Sequence, residues 1–265
     1  ETPMPFLNLP FHRVHYEDNQ VAGPVLIFCH SYGMRAEMFA PQLAAFGATH
    51  RCITWDQRAH GASPAQHAFT FWDSAKDLLA LMDHLGIEKA SVIGTSQGGF
   101  VALRAALLAP DRIQAVGALG SSADVEPEAT KAAYQPLKEA FLAGSLLHPP
   151  TQAIEVMAAV CFGPEFDGTP WKRTWESWGR DQFRFAFDAL IGRDGIIDQI
   201  SEVRCPTLVM HGAKDAAYPV DTGRRIAERI AGAEFKLVED GHHFLSITNL
   251  DAANNGIRNL LARVH

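Results

Sequence analysis

The chain has 265 residues, 47% of them apolar and 20% charged, with a formal charge of −7. That length and composition provide one sizeable core without a disulfide or metal staple. The acidic balance, with no cluster of Lys or Arg, speaks against a nucleic-acid or anionic-membrane partner, and no apolar stretch approaches the roughly 18 residues of a membrane helix.

In chain order, Val25–Cys29 is a continuous apolar run that stops at His30-Ser31-Tyr32-Gly33, as a buried strand ending in a turn would. A second strand, Arg51–Asp56, is followed by Gln57-Arg58-Ala59-His60-Gly61-Ala62-Ser63. Leu78, Leu81, Met82 and Leu85 recur at helical spacing within Asp73–Leu85, and Gly86 closes that helix. Ala90–Gly94 reads as a third strand, Gly98–Leu108 as a helix ended before Pro110, and Ala115–Gly120 as a further strand. Pro206–His211 and Glu234–Val238 read as strands and Asp251–Arg263 as a closing helix. Strands separated by helices of this length require crossover connections and a mostly parallel sheet. Between about Asp124 and Ile200 the alternation stops. Trp171, Trp175 and Trp178 fall there at i, i+4, i+7, the spacing of one face of one helix, so this segment is expected to be an all-helical insertion.

The four cysteines, Cys29, Cys52, Cys161 and Cys205, form no C-x-x-C pair and read as buried thiols rather than a zinc or redox site. Free thiols, and a visible start at Glu1 without a signal-peptide pattern, lead to the expectation of a cytoplasmic protein, with room for a leader or tag ahead of Glu1.

Gly94-Thr95-Ser96-Gln97-Gly98-Gly99 carries the sharpest chemical signal. A G-x-S-x-G string alone occurs by chance in roughly one chain in ten of this length. Here it joins an apolar strand to a helix, the setting in which a serine is held on a tight turn above a helix N-terminus. A serine hydroxyl becomes a nucleophile only when a base takes its proton. Among the twelve histidines, His242 lies just after the strand Glu234–Val238, at the carboxyl edge of the sheet where Ser96 also falls. It is preferred over its neighbour His243 because Gly241-His242 puts the imidazole on the turn. His30 is expected to tie neighbouring loops together. His12, His15, His50, His67, His84, His148 and His265 read as surface or packing residues, and no pair has metal-ligand spacing such as H-E-x-x-H. The carboxylate that would orient the base is expected to be Asp215, in the chain order Ser…Asp…His, with Asp124 and Glu126 as alternatives. Backbone N–H groups of Gln97 and Tyr32 are the expected oxyanion donors.

Taken together, HSYG (30–33), DQRAHGAS (56–63), GTSQGG (94–99), GAKDAAYP (212–219) and DGHH (240–243) resemble the α/β-hydrolase family over nearly the whole chain. The look is nearest to its 3-oxoadipate enol-lactonase and small-carboxylesterase branch. Ser31 stands where glycine is common, and Ala59 replaces the glycine of the usual R-G-H-G. The resemblance implies an α/β fold with a mostly parallel eight-stranded sheet and helices on both faces. The core would be residues 1–123 and 201–265, with 124–200 inserted as a helical cap. It also implies a serine hydrolase without metal or cofactor, cleaving a small-molecule carboxylic ester or lactone through an acyl-enzyme. Cap aromatics, with Tyr32, Trp171, Trp175 and Trp178 as candidates, would line the pocket. One of Lys172, Arg173, Arg180 and Arg184 could meet a substrate carboxylate, though solvated charge is the ordinary fate of such residues. Acyl transfer or perhydrolysis, cofactor-free His/Asp base chemistry including C–C cleavage, and a ligand-receptor role are alternatives on the same residues.

Overall fold

The computed structural model describes residues 5–144 and 150–264, so His148, His265 and the residues ahead of Pro5 lie outside it. Two short strands, β1 (Phe6–Asn8) and β2 (Arg13–Asp18), open the chain. β3 (Val25–Cys29) leads through a 3-10 turn at Ala36–Phe39 into α1 (Ala40–Phe46) and β4 (Arg51–Trp55). Then come α2 (Phe71–His84), β5 (Ala90–Thr95), α3 (Gln97–Leu108) and β6 (Ile113–Leu119). Among the described residues, four α-helices follow before the next strand: α4 (Glu128–Ala143), α5 (Thr151–Phe162), α6 (Thr169–Glu176) and α7 (Arg180–Ile191). β7 (Thr207–Gly212), α8 (Val220–Arg229), β8 (Glu234–Val238), α9 (Leu245–Thr248) and α10 (Leu250–Leu261) complete the chain.

The eight strands form one sheet in the order β1-β2-β4-β3-β5-β6-β7-β8. β1 and β2 are antiparallel, as are β2 and β4, and every pairing from β4 through β3 to β8 is parallel. The central strands are apolar on both faces because helices cover both. α1 packs with α10 on one side, while α2 packs with α3 on the other, where α8 lies alongside β7. Local signals place these helices. Thr70 and Asp73 form a reciprocal capping box that starts α2, each side chain accepting the other's backbone N–H. α3 is buried along nearly its whole length, with Phe100, Val101, Ala102 and Leu103 fully inside, so the helix that begins beside Ser96 is firmly packed.

The three tryptophans do not share one helix. α6 ends at Glu176, and Ser177, Trp178 and Gly179 form the break before α7. The sequence spacing carried the helical period across that break. Among the described residues, no helix is long and apolar enough to cross a membrane.

Candidate active site

Ser96 occupies the junction between β5 and α3 with φ 53° and ψ −117°, a conformation that strains any residue with a side chain. The turn is tight because two backbones nearly touch it. A Cβ on Gly94 would overlap the backbone of Gly98, and a Cβ on Gly98 would overlap the carbonyl of Cys29. Glycine at both positions is therefore a steric requirement of this turn. The Ser96 amide is tied to the Leu119 carbonyl at 2.8 Å, and Ser121 Oγ donates to the Ser96 carbonyl at 2.9 Å.

The imidazole facing Ser96 is that of His243, not the expected His242. His243 Nε2 lies 2.9 Å from Ser96 Oγ, and its Nδ1 lies 2.8 Å from Asp215 Oδ2. With the Nδ1 proton directed at the carboxylate, Nε2 is free to accept the serine proton. After β8 the chain turns back at Gly241, whose amide donates to the Val238 carbonyl at 3.0 Å. That turn sends the first ring outward, where His242 lies beside Gly163, and the next ring inward. His243 directly precedes the buried Phe244 and Leu245, a sequence signal that outweighs position beside the turn glycine.

Asp215 Oδ1 accepts the amides of Ala217 at 2.8 Å and Tyr218 at 2.9 Å, and His211 Nε2 approaches Oδ2 at 3.2 Å. Burial alone would raise the Asp215 carboxyl, but the charge of His243 and hydrogen bonds from His211 and His243 outweigh it and hold the group well below the usual carboxylate range. The alternative acids are engaged elsewhere. Asp124 pairs with Arg225, and Glu126 is locked in a buried ion pair with Arg193.

Tyr32 lies on the loop after β3, and Gln97 directly follows Ser96 at the start of α3. Among the described residues, no protein acceptor takes either backbone N–H, so both can meet a bound oxygen. The loop carrying Tyr32 is held by His60, whose part was not anticipated, and by His30, which ties neighbouring loops together as expected. His60 Nε2 accepts the Gly33 amide at 3.1 Å while its Nδ1 donates to the Arg58 carbonyl at 2.8 Å. His30 Nδ1 donates to the Ser31 carbonyl at 2.7 Å and its Nε2 accepts the Gln57 amide at 2.8 Å. Each ring thus uses one nitrogen as donor and the other as acceptor, which only the neutral form can do. Burial, and then the neighbouring His30, push the His60 pKa down to about 3; burial likewise lowers His30.

A cavity of about 190 Å³ opens beside Ser96 and His243. Its apolar wall comes from α4, α5 and α7, including Leu137, Val156, Met157, Val160, Phe187 and Leu190, and its polar side chains besides Ser96 and His243 are Ser31, Tyr32, Tyr134, Cys161 and Tyr218. Tyr32 is a lining residue as expected, but Trp171, Trp175 and Trp178 are not among the residues that form this wall. Two of them hold loops instead. Trp175 Nε1 donates to the Gly33 carbonyl at 2.8 Å and Trp178 Nε1 to the Ala59 carbonyl at 2.9 Å. An indole N–H needs a partner when buried, and a backbone carbonyl supplies it here. Trp171 packs half-buried against the core. Lys172, Arg173, Arg180 and Arg184 are also absent from the wall. Among the described residues, no group of three or more His, Cys, Asp or Glu could hold a metal ion.

The family model for the alpha/beta hydrolase fold matches residues 24–250. The chain belongs to that family. Within it, 3-oxoadipate enol-lactonase 2 of Acinetobacter baylyi is 26% identical over 92% of this chain and 91% of its own. Serine hydrolase BPHL of Homo sapiens is 28% identical over 91% of this chain and 80% of its own. The crystal structure of the enol-lactonase from Burkholderia xenovorans LB400 superposes with a TM-score of 0.88, covering 97% of this chain and all (100%) of that one at 22% identity. At that identity the structural likeness is one of fold. The hydrolase family, the mostly parallel eight-stranded sheet and the kinship with lactonases and serine hydrolases agree with the reading of the sequence.

Proposed function

We propose that the protein is a serine hydrolase that cleaves a small carboxylic ester or lactone through an acyl-enzyme. The observation that carries this reading is the hydrogen-bonded series Ser96–His243–Asp215 on the strained turn. Ser96 Oγ attacks the carbonyl carbon as His243 Nε2 takes its proton, and Asp215 holds the ring orientation and stabilises the imidazolium. The carbonyl oxygen becomes an alkoxide held by the amides of Tyr32 and Gln97. His243 returns the proton to the departing alcohol oxygen, or to the ring oxygen of a lactone. Water, deprotonated by the same nitrogen, then attacks the acyl carbon and releases the acid with Ser96 restored.

The helices between β6 and β7 act, on this reading, as the cap expected from residues 124–200, since they supply the apolar wall. A cavity of about 190 Å³ is comparable with the roughly 150 Å³ apolar cavities that take a benzene ring, so the acyl group is short. The unpaired cysteines suit a reducing, cytoplasmic setting.

The test is hydrolysis of a panel of short p-nitrophenyl esters and a simple lactone by the wild type and by Ser96→Ala. The expected outcome is turnover that peaks at short acyl chains and falls at least a thousandfold in the variant. A variant that matches the wild type would instead favour base chemistry by His243 and Asp215 without a covalent intermediate.

A further inference from the structure

We infer that the cavity beside Ser96 selects an acyl group that is electrically neutral and rejects one ending in a carboxylate. This rests on the ester-hydrolase reading above and adds a substrate class to it. Among the described residues, the wall contains no Lys or Arg; its polar side chains are hydroxyls, one thiol and the His243 ring. Two cations that face rings of this wall are already neutralised. Lys138 Nζ lies 5.7 Å from the centre of the Phe187 ring but is bound to Asp188 at 2.6 Å. Arg193 sits behind Tyr218, its guanidinium 5.5 Å from that ring, bound to Glu126 and to the carbonyls of Asp124 and Leu190, each at 3.0 Å.

The cations on α6 and α7 are no better placed. Lys172 pairs with Glu155, Arg184 with Asp181, Arg180 reaches the carbonyls of Ala143 and Gly144, and Arg173 is exposed. Negative charge, by contrast, lies close behind the wall. Asp215 backs His243, while Glu126, whose charge Arg193 offsets, accepts from the Tyr218 hydroxyl at 3.4 Å. A carboxylate entering this space would lose its water, gain no free cation and approach the buried carboxylate of Asp215. A neutral chain of the same length loses little hydration and buries apolar surface.

Three five-carbon acyl donors separate charge from length: p-nitrophenyl pentanoate, mono-p-nitrophenyl glutarate, and the methyl p-nitrophenyl diester of glutarate. At pH 7.5 the free carboxyl of the second is ionised. With the full-length protein, kcat/KM for the pentanoate and the diester should agree within about tenfold, and the glutarate should fall at least a hundredfold below both. A smaller gap overturns the proposal, as does a diester as poor as the glutarate, because length rather than charge would then be excluded. Absence of Ser96-dependent nitrophenol release from all three would instead remove the ester-hydrolase reading, and the proposal with it.

Discussion

His242 and His243 differ by one backbone step, yet one ring lies beside Gly163 and the other between Ser96 and Asp215. On the proposed mechanism only the second handles a proton. His243→Ala should lower kcat/KM for p-nitrophenyl pentanoate by at least a thousandfold, whereas His242→Ala should stay within about tenfold of the wild type. The reverse ranking would assign the base to His242 and contradict the geometry. The turn made both histidines legible as candidates. Which of them faces inward depends on how the chain leaves Gly241, and adjacent side chains in an extended segment point to opposite sides. Ser96 was easier to place, because Gly94 and Gly98 mark a close backbone approach that spacing alone records.

At the scale of elements, the loop after β3 is held from both sides. His30 and His60 fasten it from the core side, and Trp175 of α6 holds it from the helical insertion through the Gly33 carbonyl. Trp175→Phe keeps an aromatic ring but leaves that buried carbonyl without its donor, at a cost of about 1–3 kcal/mol. A lower melting temperature is expected, together with a fall of about tenfold in kcat and a smaller change in KM, because the loop carries the Tyr32 amide. An unchanged kcat would show that Trp175 only fills space. The central strands were legible because burial on both faces makes them continuous apolar runs. β1 and β2 were not: they lie at the antiparallel end of the sheet, where Arg13-Val14-His15-Tyr16-Glu17-Asp18 mixes polar and apolar residues. The tryptophans' role escaped the sequence for another reason. Helical spacing reports which residues share a face while the helix lasts, and neither the stop at Glu176 nor an indole's distant carbonyl partner is written in that spacing.

For the molecule as a whole, the buried neutral histidines link the candidate site to acid stability. The folded-state pKa of His60 is lowered to about 3, and that of His30 is lowered too. Below the unfolded value of about 6.5, the unfolded chain therefore takes up protons that the folded chain refuses, and each histidine removes up to about 1.4 kcal/mol per pH unit. His15 acts in the opposite sense. Its hydrogen bond to Asp56 outweighs burial and raises its pKa, so its contribution is fully present below about 6.5 and is lost only as pH rises through the folded value. Asp56 and Asp215, both lowered, contribute stability above about pH 4 that is lost as pH falls through their folded values. The urea midpoint should consequently begin to fall near pH 6.5, well before carboxylates titrate, and His60→Gln should make that fall shallower. A midpoint that stays flat from pH 6.5 to 5 would contradict the neutral, buried state of both rings.

An acyl-enzyme on Ser96 would be seen by intact-mass spectrometry of the protein quenched in acid during turnover of p-nitrophenyl pentanoate. The expected result is a species heavier by one pentanoyl group, about 84 Da, mapped to the peptide containing Ser96 and absent from Ser96→Ala. Nitrophenol release at the full rate by Ser96→Ala, or a pentanoyl group found on another residue, would contradict it.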